Sequence, residues 1–311
     1  MQSKGRKLIN MLFYHETWNV MIIKNHLAHK FPANTLDILN NTTPKQLEKI
    51  YTFQADPFII EKNNKVYIFY EAFRFRNSKG VLRCRILDAE LTELADVKLE
   101  GFDNLKCHLS FPFLFYIDNQ LFMIPESSEK KCVILFQSID FPVRWKKIKV
   151  LVSDVALTDN VFFPFNGHLY LLSTTIDGKL TIHMADRIDD PWQKITPALH
   201  VCNHHHRGAG LPHRINNRMY FLTQECTPEN YGKSVYIKEL TTLSISVFTE
   251  RMISQVNANI NCCDGFHTLN FTENYIAYDI KKNKFSFFSI FKKVLYKSIV
   301  KCRKMYLIKY H

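Results

Sequence analysis

The chain has 311 residues, 46% of them hydrophobic and 14% aromatic, with only 9 glycines and 11 prolines; this excludes a disordered or low-complexity chain and leans towards β structure. The formal charge of +12 sits at the ends: ten Lys/Arg and no Asp/Glu lie between Lys281 and His311, and Lys4, Arg6 and Lys7 stand near the start. The body is left almost neutral, which argues against nucleic acid as a partner.

Leu8–Tyr14 is too short and too polar-interrupted for a signal peptide, and no apolar run reaches 18 residues. The eight cysteines show no Cys-x-x-Cys spacing. These features predict reduced thiols inside the cell and no structural zinc. Leu8–Tyr14 and Trp18–Ile23 are apolar enough to form strands. Residues 34–50 read as a connector, where Thr43-Pro44-Lys45-Gln46 has the form of a capping box and predicts a short helix over Pro44–Tyr51.

An internal repeat follows. Pro57 precedes Glu71 by fourteen residues, and Pro112 precedes Glu126 by the same number. Asn160 with Thr174, Gly210 with Gln224 and Gly265 with Asp279 fit the same frame. The equivalent positions 57, 112, 160, 210 and 265 are spaced by 55, 48, 50 and 55 residues, the length of a four-stranded propeller blade. Each copy reads as a hairpin, with Asn63-Asn64 or Asn166-Gly167 supplying the positive φ of a tight turn. Further strands are expected at Val81–Leu87 and Ala95–Leu99. The fifth copy has room for only two strands, so the N-terminal stretches are expected to complete it. The predicted fold is an all-β, five-bladed β-propeller over residues 1–280. A basic amphipathic helix is expected over 281–311.

Hairpin geometry places Pro57 opposite Glu71 and gathers Asp56 with Glu71, Ser110 with Glu126, Asp159 with Thr174, Ala209 with Gln224 and Asp264 with Asp279 on one rim. Asp56, Asp159 and Asp264 should face the central channel, where converging carboxylates can serve as general acid or base. Asp264 and Asp279 sit in the weakest copy, and a structural role is favoured there. His204-His205-His206-Arg207 and His213-Arg214 are expected on the same rim. Adjacent histidines on a strand alternate faces, so the run is not assigned as a metal site. Arg207 with His206 or His213 suits a phosphate or carboxylate instead. His108 and His267 begin units two and five. No Gly-x-Ser-x-Gly elbow and no phosphate-cradling glycine loop occur. In the tail, Phe285, Phe287, Phe288, Ile290, Phe291, Val294, Leu295, Ile299 and Val300 interleave with Lys292, Lys293, Lys297, Lys301, Arg303 and Lys304. That pattern suits an anionic membrane surface.

The string from Ala55-Asp56-Pro57-Phe58 to Tyr70-Glu71 resembles the first-blade motif of the family-43 glycoside hydrolases, five-bladed furanosidase-type propellers; the resemblance implies a general base at Asp56. Other segments are similar to the propeller domain at the N-terminus of plant glucosamine inositolphosphorylceramide transferases and in bacterial polysaccharide-locus proteins. They are His108-Leu109-Ser110-Phe111-Pro112-Phe113, Met123-Ile124-Pro125-Glu126, Asp140-Phe141-Pro142, Arg207-Gly208-Ala209-Gly210, Gln224-Glu225-Cys226 and Phe266-His267-Thr268-Leu269-Asn270. This second resemblance implies a glycosyltransferase of bacterial surface polysaccharide or glycolipid biosynthesis. Its partners would be a nucleotide sugar donor and a glycan or lipid-linked acceptor, at the inner face of the plasma membrane. Asp56 or Asp159 would deprotonate the acceptor, and Arg207 with His206 or His213 would stabilise the departing phosphate. Glu71, His108, Glu126, Gln224 and His267 would orient substrate. The resemblance fixes no cofactor and leaves a divalent cation open. A non-catalytic glycan-binding propeller and a furanosidase are the competing readings. Gln224 and Glu225 stand where a hydrolase needs its Glu acid, which weighs against the furanosidase.

Overall fold

Alternating runs of β-branched and aromatic residues broken by Asn-rich turns commit most of the chain to antiparallel hairpins. The protein is described by a computed structural model over residues 12–24, 31–32, 34–75, 78–227, 231–257, 263–291 and 294. In chain order come β1 (Tyr14–Lys24), a helix (Thr35–Asn41), β2 (Lys45–Gln46), β3 (Phe53–Lys62), β4 (Lys65–Arg74), β5 (Lys79–Asp88) and β6 (Glu93–Lys98). Next are β7 (Ser110–Ile117), β8 (Gln120–Glu126), β9 (Val133–Asp140), β10 (Arg144–Val152), β11 (Leu157–Phe165), β12 (His168–Thr175), β13 (Leu180–Ala185) and β14 (Gln193–Ile195). The chain continues through β15 (Ala198–His200), β16 (Arg207–Gly208), β17 (His213–Ile215), β18 (Arg218–Gln224), β19 (Ser234–Leu243), β20 (Val247–Asn257), β21 (Leu269–Phe271) and β22 (Tyr275–Phe285).

The result is a β-propeller whose repeat units occupy four hydrogen-bonded sheets. Units two, three and four form β7–β10, β11–β14 and the β15–β20 sheet. The remaining sheet holds two units, because β1 touches β3 through a single parallel pair, Trp18 with Phe53. On one side of that pair lie β3–β6, and on the other β21, β22, β1 and β2. β1 runs antiparallel to β22 from Tyr14↔Phe285 to Lys24↔Tyr275. β22 therefore extends five residues beyond position 280 and draws the start of the basic segment into the sheet. Most of the tail, including Lys292, Lys293, Leu295, Lys297, Ile299, Val300, Lys301, Arg303 and Lys304, lies outside the described residues. No helix among the described residues is long and apolar enough to cross a membrane.

The inner strands β3, β7, β11, β16 and β21 surround the channel. Between β16 and β21 the ring closes where the Leu269 amide donates to the Ala209 carbonyl at 2.8 Å. Below the mouth the channel is packed with aromatics: Phe58 meets Phe111 edge-on at 4.9 Å, and both are fully buried. Each such side chain contributes about 1.5–3 kcal/mol.

Two sequence expectations are corrected. The capping box does not start a helix over Pro44–Tyr51. Lys45 and Gln46 instead pair with Ile22 and Met21, and the Leu47 amide donates to Val20 at 3.0 Å. Pairing with an open strand edge and burial of Leu47 outweigh the local signal, and the helix forms earlier, at Thr35–Asn41. Nor is Pro57 opposite Glu71: Ala55 is, and Asp56-Pro57 form a bulge before Phe58 pairs with Phe69.

Ile22 of β1 is fully buried in a cluster with Leu47, Ile59 and Ile68. Ile22→Ala is expected to cost about 2–5 kcal/mol, read as a lowered urea midpoint. An unchanged midpoint would show that β1 adds nothing to the closed ring.

Candidate functional site

The bulge recurs at the same place in three units, and it builds the site. Asp56, Phe111 and Asp159 have φ of 53°, 43° and 44°, each beside a register shift between the unit's first two strands. Asp tolerates this left-handed region, whereas at Phe111 tight packing against Phe58 must hold it. A bulge leaves its amide without a ladder partner, and a buried amide needs an acceptor. A carboxylate of the adjoining unit supplies one each time. The Asp56 amide donates to Asp279 Oδ2 at 2.9 Å, the Phe111 amide to Asp56 Oδ2 at 3.1 Å and the Asp159 amide to Glu126 Oε2 at 3.3 Å. In unit four Gly208 occupies the tight spot, since a Cβ there would lie 2.6 Å from the Asp159 carbonyl.

The acids thus converge on the channel mouth with few cations among them. Thr268 Oγ1 donates to Asp56 Oδ1 at 3.0 Å, and His267 Nδ1 lies 2.7 Å from Asp279 Oδ2. The His267 ring stacks on Trp18 at 3.9 Å. Burial opposes charge on His267, but Asp279 and then Asp56 hold its pKa above the ordinary value. Glu71 Oε1 lies 3.1 Å from His108 Nε2, while the Gly80 amide donates to His108 Nδ1 at 2.9 Å. This fixes the His108 proton on Nε2, facing the carboxylate.

Arg207 is the counter-charge of the other half. Its Nε donates to Asp159 Oδ2, its Nη2 lies 3.5 Å from Glu126 Oε2, and its guanidinium rests 5.5 Å from the Tyr231 ring centroid. Gln224 Nε2 adds a second bond to Asp159 Oδ2 at 3.0 Å, and Gln224 Oε1 is buried with no hydrogen-bond partner among the described residues. Two carboxylates thus share one guanidinium in a buried setting. Burial pushes both Asp56 and Asp159 up, to about 7, against the pull of His267 on the first and Arg207 on the second. Above this group opens a pocket of about 370 Å³, with Thr174, His204, His206, Arg207, Gln224 and Tyr231 in its wall.

Asp56, Glu71, His108, Glu126, Asp159, Arg207, Gln224 and His267 therefore belong to one continuous mouth, and His206 lines its pocket. The register differs from the expected one: Thr158 pairs with Thr174, and Arg207, not Ala209, pairs with Gln224. Asp264 is exposed away from the channel, its carboxylate accepting the Asn283 amide at 2.7 Å. His213 is also misplaced by the sequence reading. It pairs with Tyr220 on β17, stacks on Phe271 at 3.8 Å and lines an apolar groove with Ile59, Phe113, Phe163 and Leu211. The hairpin carries it away from the rim, so it cannot stabilise a phosphate beside Arg207.

Sequence reasoning did not place Trp18, Tyr231 or Thr268 in the site; Trp18 and Tyr231 enter from distant segments, and Thr268 follows His267 in the chain. It also missed the support beneath the histidine loop. There Lys238 Nζ, fully buried, donates to the His205 carbonyl and to Glu250 Oε1, both at 2.8 Å. The one grouping with metal-ligand geometry among the described residues is Asp56, His267 and Asp279, whose ligand atoms lie within 4.8 Å of one another. Each carboxylate there already accepts backbone amides or a hydroxyl. A divalent cation would have to displace bonds that close the ring, so the donor set fits a hydrogen-bonded relay instead.

The sequence profile of the family described as glucosamine inositolphosphorylceramide transferase 1, N-terminal, matches residues 16–271. Glucosamine inositolphosphorylceramide transferase 1 of Oryza sativa subsp. indica is 25% identical over 230 residues, 68% of this chain and 29% of its own length. The Arabidopsis thaliana protein of that name is 26% identical over 213 residues, 64% of this chain and 27% of its own. The chain thus spans less than a third of the length of these curated relatives. Among solved structures, an exo-β-1,3-galactanase from Clostridium thermocellum superposes with a TM-score of 0.55 at 12% identity, over 83% of this chain and 57% of that one. A GH43 endo-arabinanase from Bacillus licheniformis gives 0.50 at 11% identity, over 74% of this chain and 93% of that one. At such identities the likeness concerns the propeller fold alone.

Burial pushes the His213 pKa down to about 3. The unfolded chain takes up this proton below pH ~6.5 and the folded chain does not, so stability from the neutral ring is lost as pH falls towards 3. The His213 ring signals in an NMR titration should stay unchanged between pH 8 and 5, and a normal midpoint near ~6.5 would contradict its packing against Phe271 in the apolar groove.

Proposed function

The chain belongs to the family of the glucosamine inositolphosphorylceramide transferase 1 N-terminal domain, and from that membership and the mouth geometry we propose that it transfers a sugar from a nucleotide-activated donor to a glycan or lipid-linked acceptor. The setting would be assembly of a surface polysaccharide or glycolipid. The observation that carries this reading is Asp159. Its Oδ2 is pinned by Arg207 and Gln224, its amide is held by Glu126, and no hydrogen bond falls on Oδ1 among the described residues. A carboxyl whose proton affinity is raised towards neutrality can take a proton and return it at working pH.

In the proposed step Asp159 Oδ1 takes the acceptor hydroxyl's proton as that oxygen bonds to the donor's anomeric carbon. The carbon–oxygen bond to phosphate breaks, and its electron pair leaves on the phosphate oxygen. Arg207, whose guanidinium forms part of the pocket wall, stabilises that charge, with His206 beside it. His108 with Glu71 and His267 with Asp56 orient hydroxyls deeper in the mouth. Gln224 cannot protonate a leaving group, which favours a phosphate leaving group over an alcohol and so transfer over hydrolysis. One observation favours a glycan-binding propeller instead: Asp56, Glu126 and Asp279 are occupied by backbone amides.

A panel of nucleotide sugars, followed by nucleotide release with and without glycan acceptors, separates these readings. Asp159→Asn and Arg207→Ala are each expected to lower turnover about 100-fold or more with folding intact. Saturable glycan binding without nucleotide release from any donor would leave the binding reading standing and end the transfer reading.

A further inference from the structure

A second cationic pocket opens beside the same rim, and nothing in the transfer step uses it. It lies between β1, the start of β3 and the end of β22, and measures about 680 Å³. Thr17, Lys49, Tyr51, Arg74, Lys284 and Phe285 line it. Lys49 Nζ is buried within it and has no hydrogen-bond partner among the described residues. Burial, then repulsion from Lys284 and Lys282, pushes the Lys49 amine down to about 8, so the site is short of an anion. Arg74 packs over the Tyr51 ring at 4.5 Å and donates to the Ile50 carbonyl at 3.2 Å, which holds a second cation in place.

Directly beyond the pocket the chain carries a cluster of exposed aromatics. Phe285, Phe287, Phe288 and Phe291 are 51%, 70%, 68% and 68% exposed, and Ile290 and Val294 flank them. Phe285 stacks on Phe13 and meets Phe287 edge-on at 5.0 Å, so the cluster is a surface rather than loose side chains. Ser289 Oγ ties it down through His15 Nδ1 at 2.8 Å. Exposed aromatic groups bordered by lysines match neither a solvated loop nor a dry protein core. They match the chemistry of a bilayer interface, where rings enter the acyl boundary and cations meet phosphate.

The orientation is informative. β22 begins at Tyr275, near the Asn63-Asn64 turn at the far end of its unit, and ends at Phe285 beside Arg74 and Phe75. Phe75 packs on Phe73, whose ring centroid is 6.3 Å from that of His108. The aromatic cluster and the candidate site therefore share one end of the propeller.

We propose that this end docks onto an anionic phospholipid bilayer, with Phe285, Phe287, Phe288 and Phe291 inserted and a lipid phosphate seated between Lys49, Arg74 and Lys284. Docking in this way turns the channel mouth towards the lipid surface. The proposal stands on the pocket and the aromatic cluster and is independent of whether the mouth performs transfer.

Co-sedimentation of the full chain with vesicles tests it. Binding is expected to vesicles of phosphatidylcholine with phosphatidylglycerol and not to phosphatidylcholine alone. The exposed triple variant Phe287→Ser, Phe288→Ser, Phe291→Ser and the double variant Lys49→Gln, Lys284→Gln should each weaken binding at least ten-fold, with unchanged circular dichroism. Wild-type affinity in both variants would overturn the proposal and assign any binding to the rest of the basic tail. Thermal stabilisation by millimolar inorganic phosphate without vesicle binding would also overturn it, leaving a site for a free anion.

Discussion

At the inner strands of three units an extra residue turns the backbone to positive φ, and the amide freed there is held by a carboxylate of the adjoining unit. The geometry of the mouth follows from that contact. A propeller has no single core to lock its units together, and these cross-unit bonds join them at the channel, where the ring is narrowest. At these three bulges the acceptors are side chains, whereas a backbone carbonyl accepts where Leu269 meets Ala209. Carboxylates serve best, being acceptors with two oxygens each. The fold therefore gathers acids in a buried place for structural reasons, and their chemistry is a consequence of that gathering.

Burial, opposed by His267 and Arg207 and reinforced by the neighbouring acids, then sets the proton affinities of Asp56 and Asp159. Arg207 and His267 each face two carboxylates, and His108 faces Glu71. Deprotonating every acid would leave uncompensated charge in a desolvated site, so Asp56 and Asp159 hold their protons into the neutral range. The two acids differ in what remains available. Asp56 uses both oxygens, on the Phe111 amide and on Thr268, whereas the bonds to Asp159 fall on Oδ2. The proposed proton transfer is therefore placed at Asp159 and the Arg207 pocket, while the bonds of Asp56 hold the ring.

Much of this was legible in the sequence because a repeat exposes its own frame. The fourteen-residue spacing from Pro57 to Glu71 located the hairpins and told which ends share a rim, and eight of the ten candidate residues lie around the mouth, with His206 in the wall of its pocket. What failed was register and long-range pairing. A bulge adds one residue without altering the apolar pattern, so Ala55 rather than Pro57 faces Glu71, and Arg207 rather than Ala209 faces Gln224. His213 is close to Arg207 in sequence, but the chain runs down the inner edge between them. The helix expected over Pro44–Tyr51 was a local signal overruled by an open strand edge at β1. Trp18 had no local signal for the site and Tyr231 stood only within a family-like segment, since both reach the mouth from separate segments brought there by ring closure.

The claim on which the rest depends is that buried acids of the ring remain protonated near neutral pH. Infrared difference spectra between pH 6 and pH 8 measure it directly through the carbonyl stretch of a protonated carboxyl. The account predicts such a band at pH 6 that fades by pH 8 and is diminished separately in Asp56→Asn and in Asp159→Asn. A spectrum with no protonated-carboxyl band at pH 6, or one unchanged in both variants, would contradict it.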